Sequence, residues 1–465
     1  MLKHLKREKL ITMEQKEIKK LIEYAKAKLE LKARDEQYKS NRLLDIMQSG
    51  LESAQLEDAI YGELSLLPSE IDERFAHVYK ECGSKAATEW LYNYCVYNKY
   101  VKKDVLDKNP RFDCANGLTI TINKAKPEFR DPKKAKAGNS VDGGFCKCVI
   151  CRENEGFGAK NKRNLRTISL TLGSQPWFWQ YSPFGYFNEH GIAVNCEHIP
   201  MHIDRGTLCN LLDFVDKFPH YFIGCNAPLE RIGGSVLAHD HYQGGGEVLP
   251  LHRAKIKTKI LDKKFPYVTV GILDWPGTVI RIQSEKRNEI IDIADRLRES
   301  WINYSNVKLG IIAQDKSGVH NAISPTVIKT ATHYEMNIIL RSNITSEKYP
   351  DGVFHAHPEY HSIKKESIGL IEAQGLFILP GRLGQELAEI EEIIKSKRAL
   401  PPEYDAFKLV YQEAKALYES GKYKDIHKAM QEELGSICYR ILENTAVFKE
   451  ENYLLEFLQG AGFEI

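Results

Sequence analysis

The sequence predicts an α+β fold with mostly antiparallel sheets. Apolar residues recur at helical spacing toward both ends of the chain, and two strand-rich blocks fill its middle. Each block carries one H-x-H. At 465 residues the chain is long for a single core, so two to three domains are expected.

Taken in order, Ile18, Leu21, Ile22, Ala25 and Leu29 form the apolar face of an amphipathic helix, with Lys and Glu opposite. Ala86 to Tyr100 suits a second helix with an aromatic face, so residues 1–110 read as a helical region. Leu118 to Asn123 alternates as a strand does, and Lys124 to Gly144, rich in Lys, Pro and Gly, reads as a long surface loop. Strand signals come next in RTISLTL, GIAVNC, HYFIGC and GGSVLAHDHYQ, with a helix at Leu208 to Phe218. These complete a block at 111–250. The second block, 251–465, has strands in KKFPYVTVGIL, GTVIRI, KLGIIAQ and HYEMNIILRS and a helix at Asn288 to Ser305. It returns to helices where Leu383, Leu387, Ile390, Ile393 and Ile394 are periodic.

Composition excludes several classes of function. Hydrophobic residues at 43% and charged residues at 28% are those of a globular chain. Lys and Arg number 65 against 63 Asp and Glu, so no bulk field draws the chain to nucleic acid or an anionic membrane. No apolar run is long enough for a membrane span, and the first twenty residues are charged where an export signal needs an apolar stretch. Ten cysteines are too dilute for a disulfide scaffold, so reduced thiols and a cytoplasmic setting are expected.

Three clusters carry chemistry. The first is Gly233 to Gly246, GGSVLAHDHYQGGG. If Val236 to Gln243 is a strand, its two-residue period puts His239, His241 and Gln243 on one face. A neutral imidazole can attack phosphorus, and an amide can donate to a phosphate oxygen as charge moves. The flanking glycines permit sharp turns and a close backbone approach to an anion. The second cluster is FCKCVICRENEG, in which Cys148 and Cys151 have the spacing of half a zinc site. The third is FHAHPEYH, where His355 and His357 would share a strand face until Pro358 ends the ladder.

H-x-H-x-Q resembles the nucleophile motif in the transferase branch of the histidine-triad superfamily. QYSPFGYFNEH, CEHIPM, LLDFVDKFPHYFIGCN and FHAHPEYHSIKKESIGLIEAQGLFILPGRL look like class II galactose-1-phosphate uridylyltransferases, over nearly the whole chain. The resemblance implies two histidine-triad-like halves with helical additions at both ends. It also implies a ping-pong exchange of UMP between UDP-glucose (or UDP-galactose) and hexose-1-phosphates in galactose metabolism. His241 would be the nucleophile and Gln243 the phosphoryl donor, with Asn226, Gly234 and Ser235 contacting substrate. Either Lys364 or Lys365 would face the hexose phosphate, and Glu372 and Gln374 the sugar hydroxyls. Related class I enzymes imply zinc on Cys148, Cys151, His239 and a further histidine, His198 or His202. They also imply a second metal at His355 and His357, with His320 as a further candidate. Asp240 departs from class I, which has proline there. No organic cofactor is implied, and relatives are often dimers. Two alternatives are a phosphorylase or hydrolase of dinucleoside polyphosphates and a zinc-stabilised scaffold without activity.

Overall fold

The computed structural model describes residues 2–124, 145–234 and 236–465, with side chains from residue 15 onward. The long loop expected at 124–144 therefore lies almost wholly outside the described residues.

The chain opens with helices α1 (Leu2–Lys28), α2 (Glu36–Met47), α3 (Ser53–Leu64) and α4 (Pro68–Tyr97). Pro68 suits the first turn of α4, where its missing N–H is no loss, and Glu70 accepts the Leu67 N–H at 2.9 Å. Gly83, at φ +86°, breaks α4 in two, so the helix expected from Ala86 is its second part. Strands β1 (Arg111–Asp113), β2 (Thr119–Asn123), β3 (Ile168–Leu172), β4 (Gln175–Tyr181) and β5 (Gly191–Asn195) come after it. Then come α5 (Arg205–Lys217), β6 (Phe222–Gly224), β7 (His241–Gly245), β8 (Ile256–Asp262), β9 (Thr269–Leu273) and β10 (Val279–Ser284). Helix α6 (Arg287–Ile302) precedes β11 (Gln314–Asp315), β12 (Gly318–Val319), β13 (Asn321–Lys329), β14 (Tyr334–Ser342) and β15 (Leu376–Pro380). Helices α7 (Leu383–Lys395), α8 (Lys408–Glu419), α9 (Ile426–Thr445) and α10 (Glu451–Gly460) and strand β16 (Phe463–Glu464) close the chain. Among the described residues no helix is long and apolar enough to cross a membrane.

Two compact units divide these elements. The first takes described residues up to 104 with 145–185 and 189–198. In it β3, β4 and β5 form an antiparallel ladder, and Trp177, Phe178, Trp179 and Tyr181 of β4 are buried. The Tyr181 hydroxyl donates to the Thr88 carbonyl at 2.9 Å, satisfying a buried polar tip against α4. The second unit takes 105–124, 186–188 and 199–465. Its main sheet runs β16-β8-β9-β10-β14-β13-β6-β7, with every pair antiparallel. A smaller sheet, β1-β2-β15, includes one parallel pair. Helix α5 starts on an Asp204 cap that accepts the Thr207 N–H at 2.9 Å, and α5 and α6 pack on β13. Leu383, Leu387, Ile390 and Ile394 of α7 join Ile437 and Ile441 of α9 in one buried cluster, as their spacing predicts.

Three expectations need correction. The strand expected from Val236 begins only at His241; before it, the Leu237 carbonyl accepts the Met201 N–H at 2.9 Å and the Asp240 N–H donates to the Ile199 carbonyl at 2.7 Å. Those bonds to an irregular segment replace a ladder. FHAHPEYH is not a strand either, because Pro358 opens a short 3₁₀ turn over Pro358–Tyr360. KLGIIAQ turns tightly at Val307–Leu309, with Gly310 at φ +71°, and only Gln314 and Asp315 become strand. Of the longer strands, β4, β8, β13 and β15 were not anticipated. Pro325 sits inside β13, where it weakens the sequence signal, yet its carbonyl accepts the Cys225 N–H at 2.9 Å.

Candidate active site and metal centre

His241 and Gln243 of H-x-H-x-Q lie on β7, which pairs with β6 so that Gly224 faces Gln243 and Ile223 faces Gly244. A side chain at 244 would lie 2.2 Å from the Phe222 carbonyl oxygen, and one at 224 would lie 2.7 Å from that of Pro325. These glycines are thus required by close strand packing. His241 is 5% exposed, and its Nδ1 lies 2.8 Å from the His239 carbonyl oxygen. A carbonyl only accepts, so Nδ1 carries the proton and Nε2 keeps the lone pair. Burial holds the imidazole below its usual pKa, and the His239 carbonyl opposes that shift. Gln243, two residues along the strand, shares the His241 face.

Asn226 lies just beyond β6 and is 1% exposed. Its Oδ1 accepts the Leu370 N–H at 2.8 Å, while its Nδ2 has no hydrogen-bond partner among the described residues. Gly234 lies beside that amide, and Ser235 is outside the described residues.

The two lysines at 364 and 365 separate by burial. Lys364 is buried, with Nζ 2.5 Å from Glu372 and 3.2 Å from Glu366, whereas Lys365 is exposed. Glu372 also accepts the Gly369 N–H at 3.0 Å. Gln374 is fully buried, its Oε1 3.0 Å from Thr326 Oγ1 and 3.1 Å from His252 Nε2.

In the first unit, Cys148 Sγ lies 3.4 Å from Cys151 Sγ, which lies 3.2 Å from His198 Nδ1. The Asn154 amide donates to the carbonyls of Cys148 and Cys151, both at 2.9 Å, and so fixes the turn between them. Burial pushes the Cys148 thiol up to about 12, a cost that a bound cation would reverse. Two sulfurs and an imidazole nitrogen within 4.8 Å of one another fit a metal ion of borderline softness. His198, not His202, stands with the cysteines: His202 Nδ1 lies 3.3 Å from the Pro200 carbonyl and 3.9 Å from the Asp240 carboxylate. His355, His357 and His320 join no such group among the described residues. His355 Nδ1 meets the Ala356 carbonyl, the His357 ring stacks on Tyr349, and His320 lies between Asn343 and Asp315.

A family model for the C-terminal domain of galactose-1-phosphate uridyl transferase matches residues 214–405. A galactose-1-phosphate uridylyltransferase from Bifidobacterium longum subsp. longum is 54% identical over 408 residues, covering 87% of this chain and 79% of its own. The chain belongs to the galactose-1-phosphate uridylyltransferase family. A second uridylyltransferase, from Fusobacterium nucleatum subsp. nucleatum, is 36% identical over 90% of this chain and 86% of its own. Yeast Ap4A phosphorylase Apa2 aligns with a TM-score of 0.32 and 10% identity over 71% of this chain and 92% of its own, too loosely to argue from. As a member of this family the chain is a nucleotidyltransferase.

Some buried polar groups of this uridylyltransferase had no signal in the sequence. Arg341 is 2% exposed; its Nη2 donates to the Ile368 carbonyl at 2.8 Å, and Nε and Nη1 have no hydrogen-bond partner among the described residues. Burial lowers its pKa to about 10, opposed by the Glu372 charge. Arg281 and Asn337 face each other across β10 and β14, as do Gln283 and Glu335, and His252 reaches Glu335 at 3.4 Å. The four strand residues alternate with apolar ones, so only cross-strand register reveals the network.

Proposed function

We propose that this enzyme exchanges UMP between UDP-glucose and galactose-1-phosphate through a covalent uridylyl group on His241. The observation that carries this is the Nδ1 contact to the His239 carbonyl, which leaves the Nε2 lone pair for attack. Nε2 attacks the α-phosphorus of UDP-glucose, an N–P bond forms, and the P–O bond to glucose-1-phosphate breaks. Glucose-1-phosphate leaves as a weakly basic anion, so no strong general acid is needed. A phosphate oxygen of galactose-1-phosphate then attacks the same phosphorus, the N–P bond breaks, and the electron pair returns to Nε2. Gln243, with Asn226, Gly234 and Ser235, binds the transferred phosphoryl. Lys365 binds the hexose phosphate, and Glu372 and Gln374 orient the sugar.

Cys148, Cys151 and His198 hold zinc in this proposal. When bound, the ion would neutralise the thiolates. The nucleophile belongs to a histidine-triad-like half at 111–250 and the sugar contacts to a second at 251–465, in an enzyme of cytoplasmic galactose metabolism.

Intact-protein mass spectrometry after incubation with UDP-glucose at neutral pH tests the reaction. The expected result is a gain of one uridylyl group that is absent from His241→Ala and discharged by galactose-1-phosphate. A parent protein that turns over with no such adduct would overturn it.

A further inference from the structure

The amide of Asn226 lies beside two glycines, Gly234 and the sequence-distant Gly369. A methyl group at 234 would lie 2.8 Å from its Nδ2, and one at 369 would lie 3.3 Å from its Oδ1. The same Oδ1 accepts the Leu370 N–H at 2.8 Å across 144 residues of chain. Leu370 opens a single turn, Leu370–Ala373, with Gln374 directly after it. Arg341 fixes the start of this stretch through the Ile368 carbonyl, and Lys364 pairs with Glu372 within it. Asn226 fixes it from the side of β6, the strand paired with the nucleophile strand.

We infer that Asn226 is a positioning residue with two separable halves. Its oxygen registers the segment 369–374 against the nucleophile strand pair, so that hexose recognition and phosphoryl transfer share one frame. Its nitrogen is left toward Gly234. This rests on the proposed function, because the role of 369–374 in binding sugar belongs to that assignment. A buried backbone N–H without its acceptor is costly, so losing the oxygen shifts the segment rather than leaving Leu370 N–H unpaired.

The deciding quantity is the ratio of kcat/KM for galactose-1-phosphate to that for glucose-1-phosphate, epimers at one hydroxyl. A change in phosphate binding, or in the amount of folded enzyme, cancels in this ratio; a displaced sugar-binding segment does not. Asn226→Leu keeps the size but removes the acceptor, and is expected to change the ratio at least about fivefold. Asn226→Asp keeps the acceptor, and is expected to hold the ratio within about twofold of the parent even as both rates fall. An unchanged ratio in Asn226→Leu, or an equal shift in both variants, overturns the inference. Should Asn226→Leu fail to fold or turn over, Gly369→Ala, which presses on Oδ1, is read the same way, and an unchanged ratio again overturns it. A parent enzyme that forms the uridylyl adduct while these ratios stay fixed leaves the transferase assignment standing. A parent that turns over without an adduct removes both.

Discussion

This chain contains H-x-H twice, and the two copies fold in opposite ways. At His239–His241 the second histidine is the first residue of β7, and the chain runs on through Gln243 into paired glycines. At His355–His357 the next residue is Pro358, which has no N–H to give a ladder and starts a 3₁₀ turn instead. In the first copy the His241 ring is tied through Nδ1 to the His239 carbonyl, and His241 shares a strand face with Gln243. In the second, the rings turn to different partners: His355 to the Ala356 carbonyl, His357 to the Tyr349 ring at 4.0 Å between centroids. Spacing alone therefore does not make a reactive pair. The residues just C-terminal to the second histidine decide whether that histidine starts a strand.

The largest expected difference between the copies is in turnover. His241→Ala should lower kcat by at least about 10⁴-fold, as loss of a covalent nucleophile does, with circular dichroism unchanged. His355→Ala should retain far more activity per folded molecule; if both lost turnover equally, the contrast between the copies would collapse. The next effect concerns metal. Cys151→Ser should take bound zinc, measured by elemental analysis of the purified protein, from about one per chain to near none. Zinc retained at the parental level would dismiss the cysteine site.

How much of this was legible in the sequence depends on how local each feature is. Gln243 is two residues from His241, and Cys148 is three from Cys151, so both motifs survive being read as letters. The helices at both ends were equally plain, because Leu387, Ile390 and Ile394 repeat along one face. The choice between Lys364 and Lys365 depended on which one the fold buries beside Glu372. Arg341 read as the polar end of an apolar strand, and only the packing of Ile368 shows it buried. Pro325 interrupts the strand pattern of β13, which β14 and β6 nonetheless pair on both sides. In each of these cases the deciding contact is distant in sequence.

A third, smaller effect is acid sensitivity at His355. Burial lowers its pKa from 6.5 to about 4, opposed by its bond to Ala356; Arg341 and His361 add to the fall and Asp351 resists it. The unfolded chain then binds a proton that the native state refuses between those values, so stability is fully present above pH 6.5 and is lost as pH falls toward 4. The full loss is on the order of 3 kcal/mol, with about 2 kcal/mol of it reached by pH 5. Thermal melts at pH 7 and pH 5 should converge in His355→Gln relative to the parent. An identical pH dependence in the two proteins would show that His355 is not held neutral.

The smallest effect is the sharpest test of whether the second copy ever was a metal site. The His357 ring lies over Tyr349 at an interplanar angle of 14°, and its Nε2 reaches the Val353 carbonyl at 3.2 Å. His357→Phe keeps an aromatic face for the stack and gives up one hydrogen bond, so the cost in stability should be within about 1 kcal/mol. Bound metal should not change at all, because phenylalanine removes a ligand only where one existed. A fall in metal content in His357→Phe, matching that in Cys151→Ser, would mean that both H-x-H copies bind ions and that the proline turn is no barrier to ligation. With metal unchanged and stability nearly so, the second copy is held by stacking and a backbone carbonyl.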